Sequence, residues 1–406
     1  MSALVRQGYK LTEVGEIPED WETESIDSLA SITTGNKNTQ DRIDDGNYPF
    51  FVRSQTIEHI NSYSFEGEAV LTAGDGVGTG KIHHYINGKF DFHQRVYKIS
   101  DFSERLDGFY FYKYFSNNFY SRIMQMTAKS SVDSVRREMI ADMLVPLPPV
   151  AEQKAIATAL ATMDDLISGL DQLIAKKSDI KQAAMQQLLT GQQRLPGFSG
   201  DWEVKTFEEI FLFLSTATNA RSDLTESGDT YYIHYGDIHT RFHSHLNLGS
   251  DQPPKIERAI CKNAALIRNG DWVMADASED FAGVGKAVEV SGLSDDVHMI
   301  AGLHTFLLRE KTPTFAAGFK GHLGNLESLH QQYLRVATGM KVYGVSKAAL
   351  KNLVLPVPTL EEQTAIATVL SDMDSELSTL KARCDKSRQI KLGMMQELLT
   401  GRVRLK

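Results

Sequence analysis

The sequence predicts an α+β chain of 406 residues, with two mixed α/β globular units separated by two long antiparallel helices that form a coiled coil. The whole reads as a pseudo-two-fold internal repeat. Three observations carry this prediction. The segment from Leu144, "LVPLPPVAEQKAIATALATMDDLISGLDQLIAKK", is written again from Val354 as "VLPVPTLEEQTAIATVLSDMDSELSTLKARCDKS". Each copy has one apolar stripe at helical spacing. Each follows a longer stretch of short alternating runs punctuated by glycine.

The repeat comes first because it sets the domain count. Aligned without gaps at an offset of 210, the copies agree at roughly half their positions. Matches include Pro146/Pro356, Pro148/Pro358, Glu152/Glu362, Gln153/Gln363, Met163/Met373 and the closing "LLTG" at Leu188–Gly191 and Leu398–Gly401. The stretches before them are related more distantly. "DWETESIDSLASI" from Asp20 resembles "DWEVKTFEEIFLF" from Asp201, and "FVRSQTI" from Phe51 faces "YIHYGDI" from Tyr232, both at an offset of 181. The second unit therefore carries 29 extra residues between about 238 and 337. The boundaries read as 1–145, 146–191, 192–353 and 354–406. The chain end "LLTGRVRLK" matches "LLTGQQRLP", which leads into Asp201 and Trp202, so the last residues are expected to approach Asp20 and Trp21.

Each repeated segment reads as one helix of about forty residues, on the order of 60 Å long. Prolines end the preceding strand. Thr359 and Glu362 form a capping-box pattern, while the first copy has no evident side-chain cap. Gly191 and Gly401 sit where a left-handed C-cap is wanted. Apolar residues recur in fours and threes at Ile156, Leu160, Met163, Ile167, Leu170 and Ile174. They recur likewise at Ile366, Leu370, Met373, Leu377, Leu380 and Cys384. That alternation is a heptad seam, and a long helix with one wet stripe needs a partner stripe, which the other copy supplies. Within the globular parts, "YPFFV", "EAVLTA", "KIHHYI" and "RVYKIS" read as strands, and Gly108–Met126 and Gly324–Thr338 as helices.

Composition narrows the function classes. No apolar run reaches the eighteen or so residues that span a bilayer, and "MSALVRQGYK" lacks a signal peptide's apolar core. Two cysteines, Cys261 and Cys384, fit a reducing cytoplasm. The net charge of −9 disfavours nucleic acid in total, but much of the acidic excess lies before Ser31, and Lys81–Lys98 is locally basic.

Catalytic patterns fail one by one. "GDGVGTGK" from Gly74 has Asp75 where a phosphate loop needs glycine, and Ile82 where it needs Ser or Thr. The matching stretch of the second unit, "EDFAGVGK", fails as well. A glycine-rich hairpin that lets backbone approach a ligand, with Lys81 and Lys286 nearby, fits better. The histidine groups His83, His84, His93 and His234, His239, His243, His245 lack metal-ligand spacing. Polar residues at strand edges and loop tips instead suggest a DNA-reading surface. In the first unit these are Arg53, Gln55, Lys81, His83, His93, Gln94, Arg95, Lys129, Ser130 and Arg136. In the second they are Asn219, Arg221, His234, Tyr235, Lys286, His304, Lys341 and Tyr343. Arg and Gln read base edges in pairs of hydrogen bonds, while Lys, Ser and Thr hold phosphates.

With "VPLPPVAEQKAIATALATMDDLI", the closing "LLTG" and the alternation of unlike globular units with like helices, the chain resembles the specificity subunits of type I restriction-modification enzymes over essentially its whole length. That resemblance implies two target-recognition domains, each reading one half of an interrupted double-stranded DNA site. It implies that the helices set the spacer and dock two methyltransferase subunits, with motor and endonuclease subunits completing the complex. It implies no catalysis and no cofactor in this chain, S-adenosylmethionine, ATP and Mg²⁺ belonging to partners. Two other readings stay open on the residues alone: a coiled-coil scaffold for protein partners, and a metal-dependent hydrolase using the His234–His245 group.

Overall fold

The computed structural model describes residues 5–126, 134–242, 244–261 and 263–405. The chain divides into two compact units, one of residues 1–171 with 382–406 and one of residues 172–381. Each long helix, Val150–Leu189 and Leu360–Leu398, begins in one unit and ends in the other. No helix among the described residues is long and apolar enough to cross a membrane.

In the first unit a six-stranded sheet runs in the order Ser31–Thr34, Val96–Ser100, Phe65–Ala73, His83–Phe92, Tyr48–Phe51, Glu58–Ile60. Its neighbours are antiparallel except that Tyr48–Phe51 lies parallel to the end of His83–Phe92, Phe51 opposite Phe92. The helix Gly108–Met126, as predicted, packs its aromatic face onto the sheet, burying Phe111, Phe115 and Phe119 completely. The second unit repeats this plan with additions. Phe211–Leu214, Thr305–Glu310, Trp272–Ala275, Ala287–Ser291 and His245–Asn247 form one sheet, and Lys255–Ile256, Thr230–Ile233 and Met299–Ala301 another. The second helix predicted there is shorter than expected, Glu327–Val336. Its turns close on the Leu326 and Ala337 backbones, which are already extended.

The repeated helix motif explains itself once its partners are visible. In the first unit the buried Glu152 carboxylate accepts the Arg404 Nε–H and Nη2–H, each at 2.7 Å, and the Trp21 Nε1–H at 3.3 Å. Arg404 also grips Asp20 through two bonds of 2.8 Å, and Tyr9 donates its hydroxyl to the Gly401 carbonyl. In the second unit buried Glu362 accepts from both Arg194 Nε and Nη2 and from Trp202 Nε1 at 2.9 Å. Paired donors of this kind satisfy a buried carboxylate far better than one would. The neighbouring Gln153 and Gln363 are buried too. Each donates to two backbone carbonyls and accepts one backbone N–H, from Asp107 and Ala316. Thus each "Glu-Gln" pair at a helix start locks the globular part and the Arg that follows "LLTG". The expected approach of the chain's last residues to Asp20 and Trp21 is observed.

One predicted cap is corrected. The Glu362 N–H reaches Thr359 Oγ1 at 3.4 Å, but the Glu362 side chain turns to Arg194 and Trp202 instead of closing a capping box. Both C-caps hold, with φ of +72° at Gly191 and +71° at Gly401. The seam divides its work. Ile156, Leu160, Ile366 and Leu370 are wholly buried in the cores of their own units, and Leu170, Leu377 and Cys384 are buried further along. Met163, Ile167, Ile174, Met373 and Leu380 are half-buried. Within the first unit Asp164 pairs with Lys391 and Asp171 with Arg388. Within the second, Lys177 pairs with Glu376 and Lys181 with Asp374. In each unit rising numbers on one helix meet falling numbers on the other, so the segments run antiparallel.

Replacing Glu152 or Glu362 by Ala leaves an Arg and an indole N–H without their buried acceptor. Each change is expected to destabilise its own unit by about 3 kcal/mol. Glu376→Ala, which breaks an exposed pair, should cost well under about 1 kcal/mol. Urea titration followed by tryptophan fluorescence checks this; equal midpoints for all three variants would remove the clasp's structural role.

Candidate nucleic-acid interface

In the first unit, the chain leaving Tyr48–Phe51, the turn after His83–Phe92 and the turn after Phe65–Ala73 meet at one edge of the sheet. The His93 N–H donates to the Phe51 carbonyl and the Gly74 N–H to the Arg95 carbonyl. There Asp75 accepts from Arg53 Nη1 at 2.8 Å and faces Arg95 Nε at 3.8 Å. Both guanidiniums are exposed, so one carboxylate orients two cations without neutralising the pair. Gln94 is exposed beside them and donates to Asn38 Oδ1 at 2.6 Å. His93 is buried. Its Nδ1 accepts the Arg95 N–H at 2.9 Å, which shapes the turn, and burial followed by the charge of Arg53 lowers its pKa.

The second unit builds the same backbone frame. Ile233 lies parallel and opposite Ala301, the Gly302 N–H donates to the Ile233 carbonyl, and the Asp276 N–H donates to the His304 carbonyl. By these bonds Tyr235 stands where Arg53 stands, His304 where Arg95 stands, and Ala277 where Asp75 stands. The ungapped alignment equated Arg53 with His234, one residue off. The side chains differ wholly. The Tyr235 and His304 rings meet edge to face at 5.4 Å, and His304 Nδ1 lies 3.2 Å from Asp276 Oδ1. Burial raises the Asp276 pKa, and His304 opposes that rise. His234 caps the following helix, its Nδ1 accepting the Gly236 N–H, and burial followed by Arg221 lowers its pKa. Arg221 spans to the buried Asp237 at 2.9 Å.

A frame used twice with unlike contact groups is what two unlike sequence readers require. The family model for the type I restriction modification DNA specificity domain matches residues 18–178 and again 199–386. The chain belongs to this family. Among specificity proteins of known type it is 30% identical over 182 residues to the EcoDI specificity subunit of Escherichia coli, an alignment covering 44% of this chain and 40% of that one. It is 23% identical over 432 residues to the MjaVIII specificity subunit of Methanocaldococcus jannaschii, covering 99% of each. Its fold matches the crystal structure of the type I S subunit from M. genitalium with a TM-score of 0.61 at 16% identity, over 96% of this chain and 97% of that one.

The remaining residues expected in such a specificity surface are placed unlike one another. Gln55, Arg136 and Lys341 are exposed, and Lys81 is exposed with its ammonium 4.8 Å from the Tyr120 ring centre. Tyr343 stacks on Phe281, ring centres 3.9 Å apart, and Lys286 is half-buried with Nζ 3.5 Å from the His239 carbonyl. Asn219 is held inward, its Oδ1 accepting from Cys261 Sγ. Lys129 and Ser130 lie outside the described residues, as does His243. His83 is the clear correction: it is buried against Phe115 and Phe119, with Nε2 on the Gly80 carbonyl, and presents nothing to a ligand. Asp75 and Asp276, the carboxylates that orient each face, were not singled out in sequence as reading residues, because a lone Asp in a turn looks like turn chemistry. Among the described residues no group of three or more His, Cys, Asp or Glu could hold a metal.

Burial lowers the His83 pKa to about 4, against a smaller rise from its bond to Gly80. An unfolded His titrates near 6.5, so between these values the unfolded chain takes up a proton that the folded chain refuses. His83 therefore contributes its full share of stability above pH 6.5 and loses it progressively toward pH 4. His83→Phe should lose less stability than the parent between those limits in urea titrations at stepped pH; an unchanged slope would contradict the burial.

Proposed function

We propose that this chain is the sequence-reading part of a type I restriction-modification complex and reads an interrupted site through two unlike faces. The observation that carries the reading is the shared frame with substituted contacts. The first unit offers two guanidiniums steadied by Asp75, a chemistry suited to guanine O6 and N7. The second offers Tyr235 and His304 at the same positions, which favours stacking and single hydrogen bonds over paired donation. Each domain then reads its own half-site.

In this reading the long helices fix how many base pairs lie between the half-sites and dock two methyltransferase subunits. Leu173 and Ile180, one heptad apart and exposed, offer an apolar strip for such docking on the second unit. S-adenosylmethionine, ATP and Mg²⁺ belong to the methyltransferase and motor subunits, and this chain performs no catalysis. The acidic total is compatible with DNA because carboxylates such as Glu152, Glu362 and Asp237 are buried against arginines.

Arg95→Ala, assayed in complex with the cognate methyltransferase, should relax discrimination at one base pair of one half-site by about 1–3 kcal/mol and leave the other half-site untouched. Competition binding against singly substituted duplexes measures this. A loss spread evenly over all sequences, with a shallower salt dependence, would make Arg95 a phosphate contact instead.

A further inference from the structure

We propose that loop tips beside the two reading faces are apolar wedges that enter the base stack of the bound duplex, Val77 in the first unit and Met340 with Phe281 in the second. This rests on the DNA-reading assignment and goes beyond it, because it assigns the distortion of the duplex to named side chains.

Val77 and Phe281 follow equivalent strands, Phe65–Ala73 and Trp272–Ala275, while Met340 stands on the loop after the helix Glu327–Val336. In the first unit, Val77 stands two residues beyond the carboxylate that orients Arg53 and Arg95, and it is fully exposed at 104%. The turn that displays it is closed by local hydrogen bonds. Gly76 and Gly80 have φ of +89° and +72°, and Thr79 donates through both its N–H and its hydroxyl to the Gly76 carbonyl. In the second unit the corresponding tip carries Phe281, 52% exposed and stacked on Tyr343. Beside it Thr338 and Gly344 exchange backbone hydrogen bonds of 2.9 and 2.8 Å and close the five-residue loop "GMKVY". Gly339 has φ +133°, and a Cβ there would meet the Val342 carbonyl oxygen at 1.9 Å, so only glycine closes this loop. The loop lifts Met340 to 95% exposure. Its base is joined to the reading face, since Gly344 pairs with Ala277 and the Val345 N–H donates to the Asp276 carbonyl.

Chemistry selects the occupant. The closed loop bears one cation, Lys341, and no carboxylate. Phe281 is preceded by two exposed carboxylates, Glu279 and Asp280, and Asp280 is held down by accepting the Gly283 N–H at 2.7 Å. A lone Val77 is too small to anchor a protein interface, which needs a patch of several hundred Å². It is the right size to part a base step, and Met and Phe are used in that way where duplexes are kinked. A loop closed by its own hydrogen bonds that leaves an apolar tip in water before binding has less order to lose when it inserts.

The test uses the chain in complex with its cognate methyltransferase and a duplex carrying the site mapped from genomic methylation. 2-Aminopurine is placed singly at each position except the methylated adenine. The parent complex should brighten the probe at one step of each half-site. Met340→Ser with Phe281→Ser should abolish the signal in the second half-site only and weaken binding about tenfold, the scale of burying one such side chain. Val77→Ser should do the same in the first. An abasic site at the brightened step, where no stacking remains to be broken, should restore the variants toward parental affinity. These tips are exposed, so the variants should melt with the parent. Unchanged signal and affinity in variants that still bind sequence-selectively would overturn the wedge alone. Loss of methyltransferase co-elution without DNA would overturn it in favour of a protein contact. A parent complex that binds all duplexes alike would sink the DNA-reading assignment itself.

Discussion

Everything in this fold is arranged around a buried carboxylate at the start of each long helix. Glu152 and Glu362 are each almost completely removed from water, and each accepts from an arginine that follows the other helix and from the tryptophan that opens a globular part. A buried charge without partners is costly enough to dictate its surroundings. Once Arg404 must reach Glu152 and Arg194 must reach Glu362, the end of one helix lies against the start of the other in each unit, and the antiparallel ion pairs follow. The doubled sequence motif is the written form of that requirement. Prolines before one helix, Glu-Gln in its first turn and the Arg after the other helix's "LLTG" are parts of one contact, seen twice.

The faces beyond the clasp are free to differ because the frame below them is held by main-chain bonds. Gly74 to Arg95 in one unit and Asp276 to His304 in the other are the same backbone hydrogen bond. Neither depends on the side chain displayed. Placing Tyr235, Ala277 and His304 where Arg53, Asp75 and Arg95 stand therefore changes the chemistry displayed without unseating the strands that present it. A sequence reader needs this separation of scaffold from contact, and duplication followed by drift supplies it twice in one chain.

Much of this was legible in the residues. The repeat, the helix Gly108–Met126 and both glycine C-caps came from local patterns, periodicity and φ preference, which act over a few residues. What escaped depended on contacts far apart in the chain. Glu362 looked like a capping-box residue because its true partners lie 168 and 160 positions away. His83 looked like a surface histidine because nothing in "KIHHYI" says that both adjacent rings are buried, His83 against Phe115 and His84 against Phe51. The correspondence of Arg53 with Tyr235 slipped by one residue because parallel strand register is set by pairing across the sheet, which an ungapped alignment does not see. The first turns of the predicted seam belong to the globular cores, where Ile156, Leu160, Ile366 and Leu370 are buried.

The claim that matters most is that two different readers are held at one separation along a duplex. Single-molecule methylation mapping of a genome lacking other methyltransferases, after expression of this chain with its cognate methyltransferase subunits, tests it most directly. The account predicts one bipartite motif, with unlike halves and a single invariant gap between them. Two half-motifs methylated independently, or one pair at several gaps, would contradict it.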